Sequence, residues 1–355
     1  MGVRFDLAVI DKDLNFLHRF TDYVSKKYGD RIGVHAFSKE DAFLRYMENE
    51  NAEIALIAEG LDVDVEKISA SRVLVLSEKR TVDKFHIFKY QRADLIYKEL
   101  LNAYAEVSGG GSVDLSSMEG TKVLSFISYG SGSGSSTVAA ACAMYLAEQN
   151  QKVLYLDLQK LASVSCFFTS EGKYCLSDVM FAIMSHKTDI KLKLESMVKR
   201  DSSGVYFYDP FINVLEREEM KIEDLTELLN VLRSSGGYDY ILIDYDFNLD
   251  DSFFEILKNS IYIVTATDSS IISEKKLNAL VEALRMVGRQ KNVQYVNKIH
   301  VFFNKFSAKN SNIAQIPSVS EEGNIQLYPE GTARQIAERM ANQNAVAGMF
   351  KRIDR

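Results

Sequence analysis

Short apolar runs alternate with stretches of helical periodicity along almost the whole chain of 355 residues. Most of these runs lack the polar alternation of a half-exposed strand, as expected of strands that are buried on both faces of a parallel sheet. Strands that alternate with helices in sequence form parallel sheets covered by helices. The pattern is interrupted once, so the sequence predicts an α/β protein with two doubly wound parallel-sheet domains.

The interruption is VSGGGSVDLSSMEG at residues 107–120, which is rich in glycine and serine and has little that could pack in a core. It predicts a linker between a first domain at residues 1–106 and a second domain at residues 121–355. The expected strands are FDLAVID, IGVHAF, EIALIA, RVLVLS and FHIFKY in the first domain, and KVLSFIS, KVLYLD, VYFYD, DYILID, SIYIVTAT and IHVFFN in the second.

Composition argues against several classes of protein. The formal charge is −7 and no basic tract is present, so we do not expect a nucleic-acid partner. Cys142, Cys166 and Cys175 lack the spacing of a zinc site, which favours a reducing compartment. The N-terminal MGVRFDLAVID has charges within its apolar stretch, and no later run approaches spanning length. We therefore expect a soluble, cytoplasmic protein.

The strand KVLSFIS leads through a glycine-rich turn directly into the helix VAAACAMYLAEQ. This order makes a phosphate-binding loop credible, because glycines let backbone N–H groups point inward and the helix adds its positive N-terminal end. The same string without this context would be a plain flexible turn. The predicted nucleotide-binding residues of the loop are Gly130, Ser131, Gly132, Ser133, Gly134, Ser135, Ser136 and Thr137.

Two oxygen ligands for Mg²⁺ follow from the same pattern. The hydroxyl of Ser136 is placed beside the expected phosphates, and Asp244 ends the buried strand DYILID, where a carboxylate can hold the metal directly or through water. A strand-end aspartate is also a common cap or turn residue. The upstream phosphate loop favours the metal role.

The segment SYGSGSGSSTVAAACAMYLAEQNQKVLYLDLQ resembles the deviant Walker A region of the MinD/ParA class of ATPases. With its domain order, the whole chain resembles the TadZ/CpaE proteins of type IVb (tight-adherence) pilus assembly. The resemblance implies ATP and Mg²⁺ as ligands, Asp244 as the Walker B aspartate and Asp157 as a catalytic acid that positions metal or water. The class often has two acids spaced one residue apart, and their places here are held by Asp157 and Gln159 or by Tyr155 and Asp157.

The loop departs from this class at two places. Gly130 stands where a signature lysine usually reaches the partner's ATP, and Ser135 stands where a second lysine usually pairs with the β- and γ-phosphates. Such cations stabilise the charge of the transferring phosphoryl group, so their loss costs turnover more than binding. We expect an ATP-binding protein that is at most a weak ATPase.

Further nucleotide contacts are implied by the resemblance. Asn304 and Lys305 end IHVFFNKF at the place of the residue that reads adenine, and an amide offers the donor and acceptor that adenine needs. Tyr328 and Pro329 lie in QLYPEGTAR, which is similar to the segment that closes over the base. An asparagine after a strand is otherwise a turn residue.

Residues 1–106 resemble a receiver domain, which has a flavodoxin-like fold, without its phosphorylation chemistry. Asp11 and Asp13 follow the first strand, but the phosphoryl-acceptor place holds Ala58 or Glu59, depending on the register. The remaining customary positions fall at Ser77 and Lys89. We predict a protein-binding module rather than a phosphate switch.

The C-terminal segment TARQIAERMANQNAVAGMFKRIDR has an apolar face but few basic residues, which favours packing on its own domain over membrane anchoring. The leading hypothesis is an ATP-dependent homodimer, formed through the second domain, that presents its receiver-like domains to pilus or secretion assembly proteins and meets the membrane only through such partners. The alternatives are an ATP-using enzyme acting on a small molecule and a response-regulator-like transcriptional or signalling protein. Against the enzyme, the sequence shows no lysine in the loop and no catalytic histidine motif. Against the transcriptional protein, it shows no helix-turn-helix.

Overall fold

The computed structural model describes residues 4–50, 52–65, 68–81, 83–108, 120–130, 132–185, 189–234, 237–268, 270–306 and 319–353. The chain divides into two compact units, Met1–Ser112 with Ser185–Met197, and Val113–Met184 with Val198–Arg355. Most of the predicted linker at 107–120 and the loop residue Ser131 lie outside the described residues.

The first unit is built on a five-stranded sheet with the order β2-β1-β3-β4-β5, in which all neighbours are parallel. This is the flavodoxin-like order that the sequence analysis predicted. Its elements are β1 (Phe5–Ile10), α1 (Leu14–Tyr28), β2 (Ile32–Phe37), α2 (Glu40–Asn49), β3 (Ala52–Ala58), β4 (Ala70–Ser77), β5 (His86–Phe88), α3 (Ala93–Val107) and α6 (Ile190–Met197). Among the described residues, no α-helix separates β3 from β4 or β4 from β5.

Strand β1 lacks polar alternation because both of its faces are buried. Successive side chains of a strand point to opposite faces, so Leu7 and Val9 enter one buried cluster, whereas Ala8 and Ile10 enter another on the opposite face. Both faces of the sheet are covered, so the strand is buried and apolar from Leu7 to Ile10, and its one polar residue, Asp6, is only half-buried.

Helix α6 belongs to the first unit, although its sequence lies within the predicted second domain. It packs against α3, with Leu192 in the same buried cluster as the apolar face of that helix. The Lys193 ammonium donates to Asn102 Oδ1 at 2.7 Å and to Glu106 Oε1 at 2.8 Å. Segment 185–197 therefore supplies part of the core of the first unit.

The second unit contains an eight-stranded sheet with the order β13-β12-β11-β6-β10-β7-β9-β8, parallel except between β8 and β9. Its strands are β6 (Lys122–Ser128), β7 (Val153–Asp157), β8 (Lys199–Arg200), β9 (Tyr206–Phe207), β10 (Tyr240–Asp246), β11 (Tyr262–Thr267), β12 (Ile299–Phe306) and β13 (Ser320–Gln326). Its helices are α4 (Ser135–Glu148), α5 (Leu176–Ser185), α7 (Val214–Glu219), α8 (Ile222–Ser234), α9 (Asp251–Asn259), α10 (Ile271–Lys291), α11 (Ala333–Ala341) and α12 (Asn344–Ile353).

Helix α4 lies deep in the second unit. Its small residues, among them Ala139, Ala140 and Ala143, have no solvent exposure and let the sheet and the C-terminal helices approach closely. Helices α11 and α12 place Met340 and Phe350 in the same core. The prediction that the C-terminal segment packs on its own domain is confirmed. No helix in the described part of the chain combines the length and apolarity needed to cross a membrane.

Candidate functional site

Three neighbouring strands of the second unit end at one place. The register pairs Asp244 of β10 with Asp157 of β7, and Asp246 of β10 with Ser128 of β6. The crevice outside the carboxyl ends of the strands is the usual ligand site of an open α/β sheet. The fold thus brings the predicted acids Asp157 and Asp244 next to the glycine-rich loop that follows Ser128.

The path of this loop depends on two glycines. Gly132 has a φ of +77° and Gly134 a φ of +91°, a left-handed conformation that strains residues with a Cβ. A Cβ on Gly134 would also lie 2.2 Å from Nδ2 of Asn304. The loop therefore makes a close backbone turn into α4 that only glycine permits at residue 134.

The serine hydroxyls of the loop have different roles. Ser133 and Ser135 are buried, with their Oγ atoms 3.3 Å apart, and Ser135 Oγ accepts from the backbone N–H of Ala266 in β11. These two serines anchor the loop to the sheet. Ser136 is half-buried and donates to Gln159 Oε1 at 3.3 Å. Its hydroxyl thus faces the acids at the ends of β7 and β10.

Asp244 is fully buried at the floor of the site. Its Oδ2 accepts from the Tyr155 hydroxyl at 2.7 Å, whereas Oδ1 has no hydrogen-bond partner within the described part of the chain, since Ser136 donates to Gln159. Burial, followed by the charge of Asp157, raises the pKa of Asp244 to about 8. A buried carboxylate with a free oxygen is a costly arrangement that a cation would relieve.

Asp157 organises the segment after β7. Its Oδ1 accepts from the backbone N–H of Gln159 at 3.1 Å, and its Oδ2 accepts from those of Ser163 and Val164 at 2.7 and 2.8 Å. Burial raises the pKa of Asp157 to about 6, although these three hydrogen bonds oppose the change. In this structure both oxygens position the backbone that carries Gln159, so a catalytic role for Asp157 stays a prediction.

Asp246 is a site residue that the sequence analysis missed. Its Oδ1 accepts from Gln159 Nε2 at 3.4 Å and its Oδ2 from the backbone N–H of Lys160 at 2.8 Å. It is two residues after Asp244 on the same strand and therefore points to the same face, so the two-residue spacing in DYILIDYD could have revealed it. The cleft is lined by Ser128, Tyr129, Gly130, Gly132, Ser133, Gly134, Ser135, Ser136, Gln159, Asp246 and Phe247.

The predicted adenine contacts separate into two groups. Asn304 donates to the Ser133 carbonyl oxygen at 2.8 Å, and Lys305 donates to that of Gly132 at 2.5 Å, so both lie on the loop. Tyr328 instead accepts from Gln343 Nε2 at 2.7 Å. Tyr328, the adjacent Pro329 and Thr137 in the first turn of α4 do not belong to the lining of the cleft as described, and neither do the predicted residues Asp157, Asp244, Asn304 and Lys305.

The residues present fit a complex of nucleotide and metal. The turn at Gly132 and Gly134 leaves these two loop positions without β-carbons, as a phosphate cradle requires, and Asp244 near the end of β10 has an Oδ1 without a partner in the described part of the chain. Hydroxyl and carboxylate oxygens such as those of Ser136 and Asp244 are the donors that Mg²⁺ prefers.

The first unit has a second group of acids at the end of its sheet. Lys89 Nζ lies 2.6 Å from Asp11 Oδ2 and 3.5 Å from Asp13 Oδ2, with Lys89 and Asp11 buried. Since Ile10 pairs with Ile57, the next residue, Ala58, lies beside Asp11, and Glu59 is exposed beyond the strand. The position beside the acids thus has a methyl group instead of a phosphoryl acceptor.

Known protein families match both parts of the chain. Residues 3–105 match the TadZ-like receiver domain family, and residues 121–297 match the AAA domain family. No curated protein is found to match the sequence.

Solved structures resemble the second unit. The ParA family ATPase from Chlorobium tepidum TLS has 16% identity and a TM-score of 0.52, covering 65% of this chain and 97% of that protein. The MinC:MinD cell division protein complex from Aquifex aeolicus gives 16% identity and a TM-score of 0.50, covering 66% of this chain and 96% of the matched one. At such identities the likeness shows the fold alone. Residues 3–105 therefore belong to the TadZ-like receiver domain family, and the second unit has the fold of the ParA and MinD ATPases.

Proposed function

We propose that this protein is an ATP-binding localisation and assembly factor for a type IVb (Tad) pilus or a related secretion machine. It acts in the cytoplasm, dimerises through its second domain when it binds ATP and Mg²⁺, and hydrolyses ATP slowly or not at all. The observation that carries the proposal is the convergence of a left-handed glycine turn with a buried carboxylate whose Oδ1 lacks a partner among the described residues.

Each part of the cleft has a distinct task in nucleotide binding. The backbone N–H groups of the loop and the N-terminus of α4 would hold the phosphates. Ser136 and Asp244 would hold Mg²⁺, which neutralises phosphate charge when it is bound. Gln159 connects Ser136 to Asp246 and so keeps the hydroxyl oriented toward the acids. Asn304 would contact the base, after exchanging its bond to Ser133 for one to adenine.

Slow turnover follows from the side chains that the loop lacks. Gly130 and Ser135 stand where the MinD/ParA class has lysines, and Ser135 is buried and bonded to the sheet. Catalysis requires groups that stabilise the transition state more strongly than the bound substrate. Backbone N–H groups bind both states, so affinity survives better than rate.

Dimerisation is supported by exposed apolar side chains that come shortly before or after site residues in sequence. Leu161 is 78% exposed, Leu249 55%, Ile271 72% and Ile272 69%. A second copy of the chain that covered these side chains would remove apolar surface from water. ATP that binds only the dimer would then favour association by mass action.

Sedimentation equilibrium of the full chain tests the proposal. We expect the monomer mass without nucleotide and a mass near that of the dimer with ATP and Mg²⁺, while phosphate release stays slow. Asp244→Asn removes the charge that would hold Mg²⁺ at nearly constant volume, so this variant should remain monomeric under the same conditions. An unchanged mass for the wild-type protein with saturating ATP would refute the dimer, and rapid phosphate release would refute slow turnover.

The receiver-like domain would bind the assembly proteins. Its Asp11–Lys89 ion pair closes the acidic site, and Ala58 cannot accept a phosphoryl group. We therefore assign it a constitutive docking role, with membrane contact made through those partners.

A further inference from the structure

Two lysines from elements remote in sequence bring positive charge to the glycine-rich loop. Lys276 belongs to α10, and its Nζ lies 3.6 Å from the position that a Cβ on Gly130 would occupy. Lys305 is the first exposed residue of β12, and its Nζ donates to the Gly132 carbonyl oxygen at 2.5 Å. Both side chains are exposed, and no carboxylate of the described residues lies within ion-pair distance of either, although the charge of Lys305 acts on Asp268 after β11.

Both lysines belong to regular secondary structure, Lys276 to α10 and Lys305 to β12. Helix α10 begins where Ser270 caps the N–H of Ser273, and the residue after Lys276, Leu277, is fully buried. Lys305 has a left-handed φ of +57°, and its N–H donates to Asn304 Oδ1 at 2.9 Å. The two ammonium groups therefore reach the loop from rigid elements with little freedom except in their own side chains.

The order of strands separates opposite charges across the loop. Strand β6, which leads into it, lies between β11 on one side and β10 on the other. The acids Asp157, Asp244 and Asp246 lie at the ends of β7 and β10, whereas Lys305 is the second-last residue of β12 and Lys276 belongs to the helix after β11. The acids would hold a metal on one side of the loop, and the lysines would bind phosphate oxygens on the other.

We infer that Lys276 and Lys305 bind the phosphates of the nucleotide and replace, from other elements, the lysines that the loop lacks. This inference rests on the proposed ATP binding. Lys276 packs against the loop at Gly130, where its Cδ and Nζ lie 3.6 Å from the position of a Cβ, at ordinary van der Waals distance. The bond from Lys305 to a neutral carbonyl is exchanged for a stronger, charge-assisted bond to a phosphate oxygen.

Calorimetric titration of the full chain with ATP, ADP and adenosine, each with Mg²⁺, tests this role. Lys276→Ala and Lys305→Asn should each weaken ATP binding about tenfold or more, as expected for the loss of one charge-assisted hydrogen bond. Asparagine is chosen at 305 because it tolerates a left-handed backbone. Adenosine binding should be unchanged, and Lys276→Arg should keep most of the ATP affinity.

Lys275→Ala is the matched control, because Lys275 is exposed and directly precedes Lys276 on the same helix. Wild-type ATP affinity should also fall more steeply with added salt than that of the doubly substituted protein, because ions screen exposed charges. If the wild-type protein does not bind ATP, the proposed function fails. If it binds ATP and the two lysine variants match Lys275→Ala, or lose adenosine equally, the phosphate role is refuted while the proposed function stands.

Discussion

Gly134 and Asn304 constrain each other more closely than any other pair in the cleft. The amide of Asn304 crosses the backbone of the loop to reach Ser133, and it occupies the space in which a side chain at 134 would begin. An asparagine at the end of β12 and a glycine before α4 are thus parts of one turn. Their separation by 170 positions makes this coupling invisible to local sequence patterns.

Gly134→Ala should reduce both ATP affinity and stability. The left-handed backbone costs a residue with a Cβ about 1–2 kcal/mol, and the new methyl group would contact Asn304. Urea denaturation and calorimetric titration measure the two effects. Gly130→Ala is the control, since its Cβ would meet only Lys276 atoms at 3.6 Å. In an Asn304→Ala background the substitution should cost less, and strict additivity would argue against the contact.

The buried acids predict an unusual dependence of stability on pH. The pKa values of Asp157 and Asp244 are raised above their ordinary range in the folded protein, to about 6 and about 8, so the folded state holds protons that the unfolded chain releases. Their contribution to stability is complete below pH 4 and is lost as the pH rises through 6 to 8.

Urea denaturation of the nucleotide-free protein should therefore give a free energy of unfolding that falls between pH 6 and pH 8. Asp244→Asn should flatten this slope, because the amide does not ionise, while abolishing stabilisation by Mg²⁺ with ATP. Glu148→Gln serves as the control at an exposed acid of the same unit, at the end of α4. A wild-type slope that is unchanged in Asp244→Asn would contradict the assignment of the proton to this site.

At the scale of elements, α6 packs in the first unit although the chain segments on either side of it belong to the second. The helix lies between α5 and β8 in sequence, yet its apolar face completes the cluster on α3. Buried Lys193 adds hydrogen bonds to Asn102 and Glu106, and burial lowers the pKa of its ammonium group. Such a charge is tolerated only because its partners are present.

Lys193→Ala should destabilise the first unit by about 2 kcal/mol, the cost of losing hydrogen bonds to a charged group. Hydrogen exchange of the α3 amides in the full chain would measure the effect, because α3 is the helix that α6 covers. Lys191→Ala changes a less buried lysine two residues earlier and should leave exchange unaltered. Equal effects of both variants would show that the contacts of Lys193 contribute nothing specific.

The two edge strands of the second sheet, β8 and β13, were missed by the sequence analysis. Strand β8 has two residues and β13 reads SEEGNIQ, so neither offers a run of apolar residues. They form because the sheet already present supplies hydrogen-bonding partners at its edges. Predicted strands such as β6 and β10 were found because a strand buried on both faces must be apolar throughout, a requirement that the local sequence records.

At the scale of the whole molecule, the sequence by itself determined the α/β class, the parallel central strands and the place of the glycine-rich turn. Each depends on neighbouring residues: apolar runs, helical periodicity and glycines between a strand and a helix. Asp244 was predicted from its place near the end of a buried strand, whereas Asp157 was implied by the family resemblance and Asp246 was missed.

Only the tertiary structure decided which distant groups meet. It brought Lys276 and Lys305 to a loop without basic residues, left Oδ1 of Asp244 without a partner in the described region, and placed α6 with the first unit. The physical reason is that strand order and helix packing, which arise from burial summed over the whole core, set these distances. No local pattern of residues encodes them.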